Sequence, residues 1–83
     1  MEKTPRLNFQ GVTALLVEGD RHSVSVLSEI LRRFGLEHQH CLETGAEAKT
    51  YVQRNAVDFF FCEAALPDMD GLDLVRWVRR SAP

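Results

Sequence analysis

The sequence predicts an α/β fold in which short buried strands alternate with amphipathic helices around a parallel sheet. Three observations predict it. Residues 57–63, VDFFFCE, put three consecutive phenylalanines in a short run, which suits a strand covered on both faces. Other segments carry apolar residues at helix spacing, with capping residues before them or glycine after them. The two kinds of segment alternate along the chain as β-α-β-α-β-α, the order that gives a parallel sheet with right-handed crossovers.

Residues 1–11 are polar, contain a proline and read as an N-terminal arm. VTALLV, residues 12–17, is short, apolar and β-branched at its start, so it reads as a buried strand, with EGD as the loop after it. SVSVLSEILRRFG, residues 23–35, reads as a helix. Leu27, Ile30, Leu31 and Phe34 recur at helix spacing, Gly35 stops it, and Asp20 or Ser23 can cap its start. LEHQHC, residues 36–41, alternates weakly and reads as a short strand. Thr44 and Glu47 form a capping box that opens a helix over AEAKTYVQRN, with Ala48, Tyr51 and Val52 facing the core. LPDMDG ends the phenylalanine-rich strand with Pro and Gly punctuation. LDLVRWVRR, residues 72–80, is a helix with Leu74, Val75 and Val78 on one face. Arg76, Arg79 and Arg80 crowd its C-terminal end, where cations suit the macrodipole. Residues 81–83 read as a tail, which leaves 12–80 as one small domain.

Composition bounds what such a domain does. The chain has 83 residues, 45% hydrophobic and 27% charged, an ordinary globular balance that argues against disorder. The formal net charge of −2 gives no basic footprint for nucleic acid. Apolar runs fall far short of the roughly 20 residues of a membrane helix. Cys41 and Cys62 have no metal-type spacing and read as reduced thiols in a cytoplasmic protein. His22, His38 and His40 read as surface histidines, and Cys62 as a small core residue. Asp68 and Asp70 read as turn formers and a helix cap. No phosphate-binding glycine loop, nucleophile elbow or Ser/His/Asp set appears, so the chain reads as a non-enzyme.

In parallel sheets the chemistry sits beyond the carboxyl ends of the strands. Glu18, Gly19 and Asp20 leave the first strand, and Glu63 and Ala64 leave the third. Two loops thus bring Glu18, Asp20 and Glu63 near one another.

LLVEGD, a helix, TGAEA and then VDFFFCEAALPDMDGLDLVRWVRR resemble the receiver domain of bacterial two-component response regulators, with ALPDMDG the most specific segment. The resemblance covers nearly all of residues 12–80 and implies the first β-α-β-α-β-α part of a flavodoxin-like receiver fold, its strands ordered 2-1-3. It also implies an acidic pair after the first strand that holds Mg²⁺. An aspartate ending the third strand takes phosphate from a histidine kinase, and a backbone carbonyl two residues on binds the same metal. Residue by residue, Glu18 matches the first acid of the pair and Gly19 falls where the second belongs. Glu63 falls on the phospho-acceptor, and Ala65 matches the metal-binding carbonyl.

Each departure has a consequence. Mg²⁺ wants near-octahedral oxygen ligation, so losing a carboxylate at Gly19 weakens the site, and Asp20 substitutes only if its loop bends back. Glu63 carries its carboxylate roughly 1.5 Å beyond an aspartate's. A misplacement of about 1 Å can cost ~10²-fold in a transfer that depends on positioning. Glu63 therefore reads as a fixed, partial mimic of a phosphorylated side chain, with a charge of about −1 against about −1.5 to −2 for a phosphoryl group. A plain solvated loop carboxylate and a true acceptor are the other readings. Asp20 is either part of a remnant acidic pocket or simply a helix cap.

The family has five strands and this chain supplies three. The third strand becomes an edge, where Phe60 and Trp77 are candidate interface residues. The chain is then a piece of a longer regulator, a half-domain that dimerises through its third strand and third helix, or a module completed by another protein's strand. The functional expectation is a degenerate pseudo-receiver that works by protein–protein contact with a histidine kinase, another regulator or itself. It would need no cofactor, any Mg²⁺ binding would be weak, and it would touch neither nucleic acid nor membrane. The alternatives are a genuine Mg²⁺-dependent phospho-accepting receiver and a flavodoxin-like small-ligand binder.

Overall fold

The computed structural model describes residues 11–81; most of the expected arm and the end of the expected tail lie outside the described residues. The elements run β1 (Thr13–Val17), α1 (Arg21–Arg33), β2 (His38–Leu42), α2 (Gly45–Arg54), β3 (Phe59–Cys62) and α3 (Gly71–Ser81). The strands are parallel and ordered β2-β1-β3, as the sequence implies for the first part of a flavodoxin-like fold.

β1 is the middle strand, and Ala14 to Val17 are fully buried. Its alternation sorts the core. Leu15 and Val17 pack with Ala48 of α2, Leu74 of α3 and Leu66 of the loop between β3 and α3, while Ala14 and Leu16 pack with Leu36, Leu27 and Leu31 on the α1 side. Helices thus cover both faces of the sheet, α2 and α3 on the Leu15 and Val17 face and α1 on the other. Burying each such leucine side chain is worth about 1.5–3 kcal/mol.

α1 is set by its ends. Asp20 is the N-cap and Phe34 the C-cap. Gly35 follows at φ +90°, its N–H donating to Arg32 O, while Leu36 N–H reaches back to Leu31 O at 3.0 Å. This is a complete Schellman motif, with Leu36 packed into the same cluster as Leu31. The left-handed φ explains the glycine. The helix therefore spans 21–33 and not 23–35. Its core stripe also differs from the expected one. Leu27 and Leu31 face the sheet, but Ile30 is 47% and Phe34 64% exposed. With Val26 they form a second apolar stripe, rotated about a quarter turn from the first because adjacent helical residues are separated by roughly 100°.

β2 (His38–Leu42) alternates only weakly in sequence because its part-buried positions include the polar Gln39. Gln39 ties it to α1: its Nε2 donates to Ser28 O and Leu36 O, and its Oε1 accepts from Ser28 Oγ at 2.5 Å. α2 opens on the expected cap, Thr44 Oγ1 accepting from Glu47 N–H at 3.2 Å. Ala48 is fully buried, and Tyr51 and Val52 pack against the core.

The triple phenylalanine divides its work. Phe60 packs into the α2/α3 cluster and Phe61 into the α1 cluster, so both faces of β3 are used. Neither is fully buried, and Phe59 is 40% exposed. The full coverage expected from the run is incomplete because β3 is an edge strand among the described residues. On α3, Leu74 is fully buried, with Val75 and Val78 partly so. Arg79 and Arg80 sit in its last turn.

Candidate functional site

β1 and β3 run side by side, with Val17 level with Cys62. Glu18 and Glu63 therefore leave the sheet together. Glu63 N–H donates to Val17 O at 3.0 Å and Glu18 N–H to Leu42 O at 2.9 Å, which carries the ladder one step past each strand. The half-buried Glu63 side chain turns toward β1, where its Oε1 accepts from Gly19 N–H at 3.3 Å. Glu18 Oε1 accepts from Asp20 N–H at 3.1 Å.

Asp20 points elsewhere. Its carboxylate accepts from Ser23 Oγ at 2.6 Å and from His22 N–H at 3.3 Å. The Ser23 hydroxyl, and after it the His22 and Ser23 amides, hold its pKa below the ordinary carboxylate value. Of the two readings of Asp20, the geometry gives the helix cap, and the acid pair after β1 is not rebuilt by a bend in the loop. The loop spends the carboxylate on α1 because an N-cap satisfies amides that have no partner inside the helix.

Gly19 leaves open space: a Cβ there would meet only Glu63 Oε1, at 4.0 Å. Ala65 is bridged to Asp70, with Leu66 N–H donating to Met69 O and Gly71 N–H to Ala64 O. In that pattern the Ala65 carbonyl points away from the bridge, and the residue is exposed. The Mg²⁺ of the resemblance asks for a carboxylate pair after β1. Here position 19 offers only a backbone N–H, already given to Glu63, and Asp20 is committed to α1. Among the described residues no three His, Cys, Asp or Glu side chains gather as a metal would need. The donor set does not fit an octahedral ion that takes its ligands from this loop.

Asp70 caps α3 through Leu72 N–H at 2.7 Å, as a turn-and-cap reading expects. Asp68 does more. Its carboxylate crosses to the start of α2 and accepts from Gly45 N–H at 2.8 Å and Ala46 N–H at 2.9 Å. These two amides hold its pKa below the ordinary value of 3.8. No local signal reveals this, because the donors lie 23 and 22 residues away. A carboxyl lowered in the fold contributes stability above its unfolded value, and loses it as pH falls through the folded one. Asp68→Asn is expected to lower the melting temperature at neutral pH and to flatten the acid side of its pH profile. Melts followed by circular dichroism across that range read both effects.

Cys62 is half-buried beside the site and packs against the core. Burial, and secondarily the nearby Glu63 and Glu18 charges, pushes its thiol pKa up. That suits a core thiol and not a reactive one. Trp77 is half-buried, with Lys49 Nζ 5.3 Å from its ring centroid, so a neighbour on α2 already covers one face of this candidate interface residue.

A family model for the response regulator receiver domain matches residues 14–83. The chain belongs to that family. A relative is a probable histidine kinase 6 of Oryza sativa subsp. japonica, 28% identical over 71 residues. The match takes in 84% of this chain but 7% of the kinase, so the chain spans a small part of that relative's length. No solved structure matches. The receiver assignment thus rests on sequence and on the strand order together. Receiver domains work in signalling with protein partners, and among the described residues no helix is long and apolar enough to cross a membrane.

Proposed function

We propose that this receiver module signals by protein contact alone, with Glu63 standing permanently where the family carries its phospho-acceptor. The observation that carries the reading is the Glu63 Oε1 bond to Gly19 N–H. The carboxylate at the end of β3 is held against the β1–α1 loop by the backbone of the residue that should have supplied a metal ligand. A fixed negative charge already joins the two loops that a metal and a phosphoryl group would join. Glu18 and Asp20 each hold their own loop's amides, and Ala65 lies in an exposed turn bridged to Asp70. The partners of such a module are a histidine kinase, another regulator or a second copy, met in the cytoplasm. Self-association would use the edge of β3 and the exposed part of α3, with Phe60 and Trp77 at the contact.

The test is incubation with a small phosphodonor and Mg²⁺, read by intact mass. The expected spectrum shows the unmodified chain only. A species heavier by one phosphoryl group, absent from Glu63→Gln, would establish a true acceptor and end this reading. Light scattering on the same sample reads the self-association arm. A dimer that Phe60→Ser and Trp77→Ser both dissociate supports it, and a monomeric wild type removes it.

A further inference from the structure

Among the described residues, β2 is the outer strand on the side away from β3. Leu42 O accepts from Glu18 N–H, so the Leu42 main chain faces β1. Alternation then turns His38 and His40 the same way and leaves the N–H and C=O groups of Gln39 and Cys41 on the open edge. The side chains sort by face. His40 is level with Leu15 and stacks on Tyr51 of α2, with ring centroids 4.4 Å apart at 19°. His38 is level with Thr13, two residues back, on the same face. Gln39 and Cys41 lie on the opposite, α1 face. Both histidines are exposed, and HQHCL contains no Lys, Arg or Pro, the residues that commonly guard an edge.

We infer that two copies of this chain join through β2 around a tetrahedral, zinc-class divalent ion held by His38 and His40 of each copy. The register follows from the main chain. A two-fold axis at Gln39 makes Gln39 and its counterpart a hydrogen-bonded pair, using the groups that point outward. The flanking pairs are then non-hydrogen-bonded, the kind with Cα atoms about 4.5 Å apart and side chains closest. Those pairs set His38 of one copy opposite His40 of the other, on both sides of the axis. Directly opposed residues share a face, so all the imidazoles gather on the α2 side, two from each chain. One chain offers only two nitrogen ligands, and the site is complete only when the second copy arrives. Imidazole suits such ions, and four nitrogen donors at about 2.0–2.1 Å satisfy tetrahedral zinc. The Gln39 side chains do not intrude, because each is tied to Ser28 and Leu36 on the other face.

The experiment is light scattering on the 83-residue chain in neutral buffer, in chelator and then with excess Zn²⁺ over the chelator. Zn²⁺ is expected to double the mass measured in chelator, with one ion bound per two chains. His38→Gln and His40→Gln each abolish the doubling. Cys41→Pro also abolishes it, because it removes an outward N–H from the new ladder while costing β2 no bond to β1. Cys41→Ser keeps it. The idea is overturned if Zn²⁺ leaves the mass unchanged or if the doubling survives both histidine variants. Loss of the doubling in Cys41→Ser would overturn it equally, by making the thiol the ligand. Association through β3 and α3 needs no metal and depends on Phe60 and Trp77, so the two contacts fail separately.

Discussion

Leu74→Ala is expected to leave the chain without a cooperative thermal transition. Leu74 is fully buried and is the α3 side chain set into the cluster of Leu15, Val17, Ala48 and Leu66, with Val78 packed against its side. Truncating a leucine in such a place costs about 2–5 kcal/mol, part lost transfer energy and part cavity. Domains are stable by only about 5–15 kcal/mol, and one this small belongs at the low end. One substitution therefore removes most of the margin. Leu72→Ala is the control. Leu72 lies two residues away on the same helix but is 57% exposed, so its loss should fall within about 0.5 kcal/mol. Circular dichroism melts of the two variants should differ in kind, one with a sigmoid and one without. Similar curves would mean that α3 is not anchored through Leu74.

Gly71→Ala is expected to destabilise by about 1–3 kcal/mol or more, the range for overpacking a filled site. The sign is not the default one. Gly71 is the first residue of α3, and alanine is the better helix former by about 1 kcal/mol. The added Cβ, however, would lie 2.0 Å from Glu63 O, 3.0 Å from Glu63 C and 3.1 Å from Ala64 O. All three are main-chain atoms and cannot swing aside as a side chain would. Nor can the segments part freely, since Gly71 N–H is bonded to Ala64 O at 2.8 Å and Glu63 N–H to Val17 O at 3.0 Å. Urea denaturation measures the loss. The strain also lands on Glu63, so the Gly19 amide resonance should move in the same variant. A variant as stable as the parent, with that resonance unmoved, would show that the approach is looser than these distances.

The fold was legible because its signals are local and agree with one another. Alternating apolar runs and helix stripes give the element order, and Thr44, Glu47 and Gly35 mark ends where the structure has them. The errors share a cause. Ile30 and Phe34 have the right spacing, but spacing does not say how far round a helix its cover extends. The phenylalanine run reads as buried on both faces, but coverage depends on which strands stand beside it. At the site, adjacency of Glu18 and Glu63 follows from parallel strand order. The turn of each carboxylate does not. Asp20 belongs to α1 because of Ser23 and the helix amides, and Asp68 belongs to α2, a partner more than twenty positions away. Gln39 is the same lesson on the other face: a polar residue in a weak strand signal turns out to fasten the strand.

The Asp68 carboxylate, seated on the first amides of α2, bears on how the molecule opens. Helix ends ordinarily fray one residue at a time, and their amides exchange with solvent almost freely. Here the Gly45 and Ala46 amides can exchange only when the segment after β3 lifts away. Exchange at the start of α2 should thus report breathing of the acidic loop, and the two would behave as one cooperative unit. A partner that draws that loop outward would unwind the first turn of α2 in the same motion.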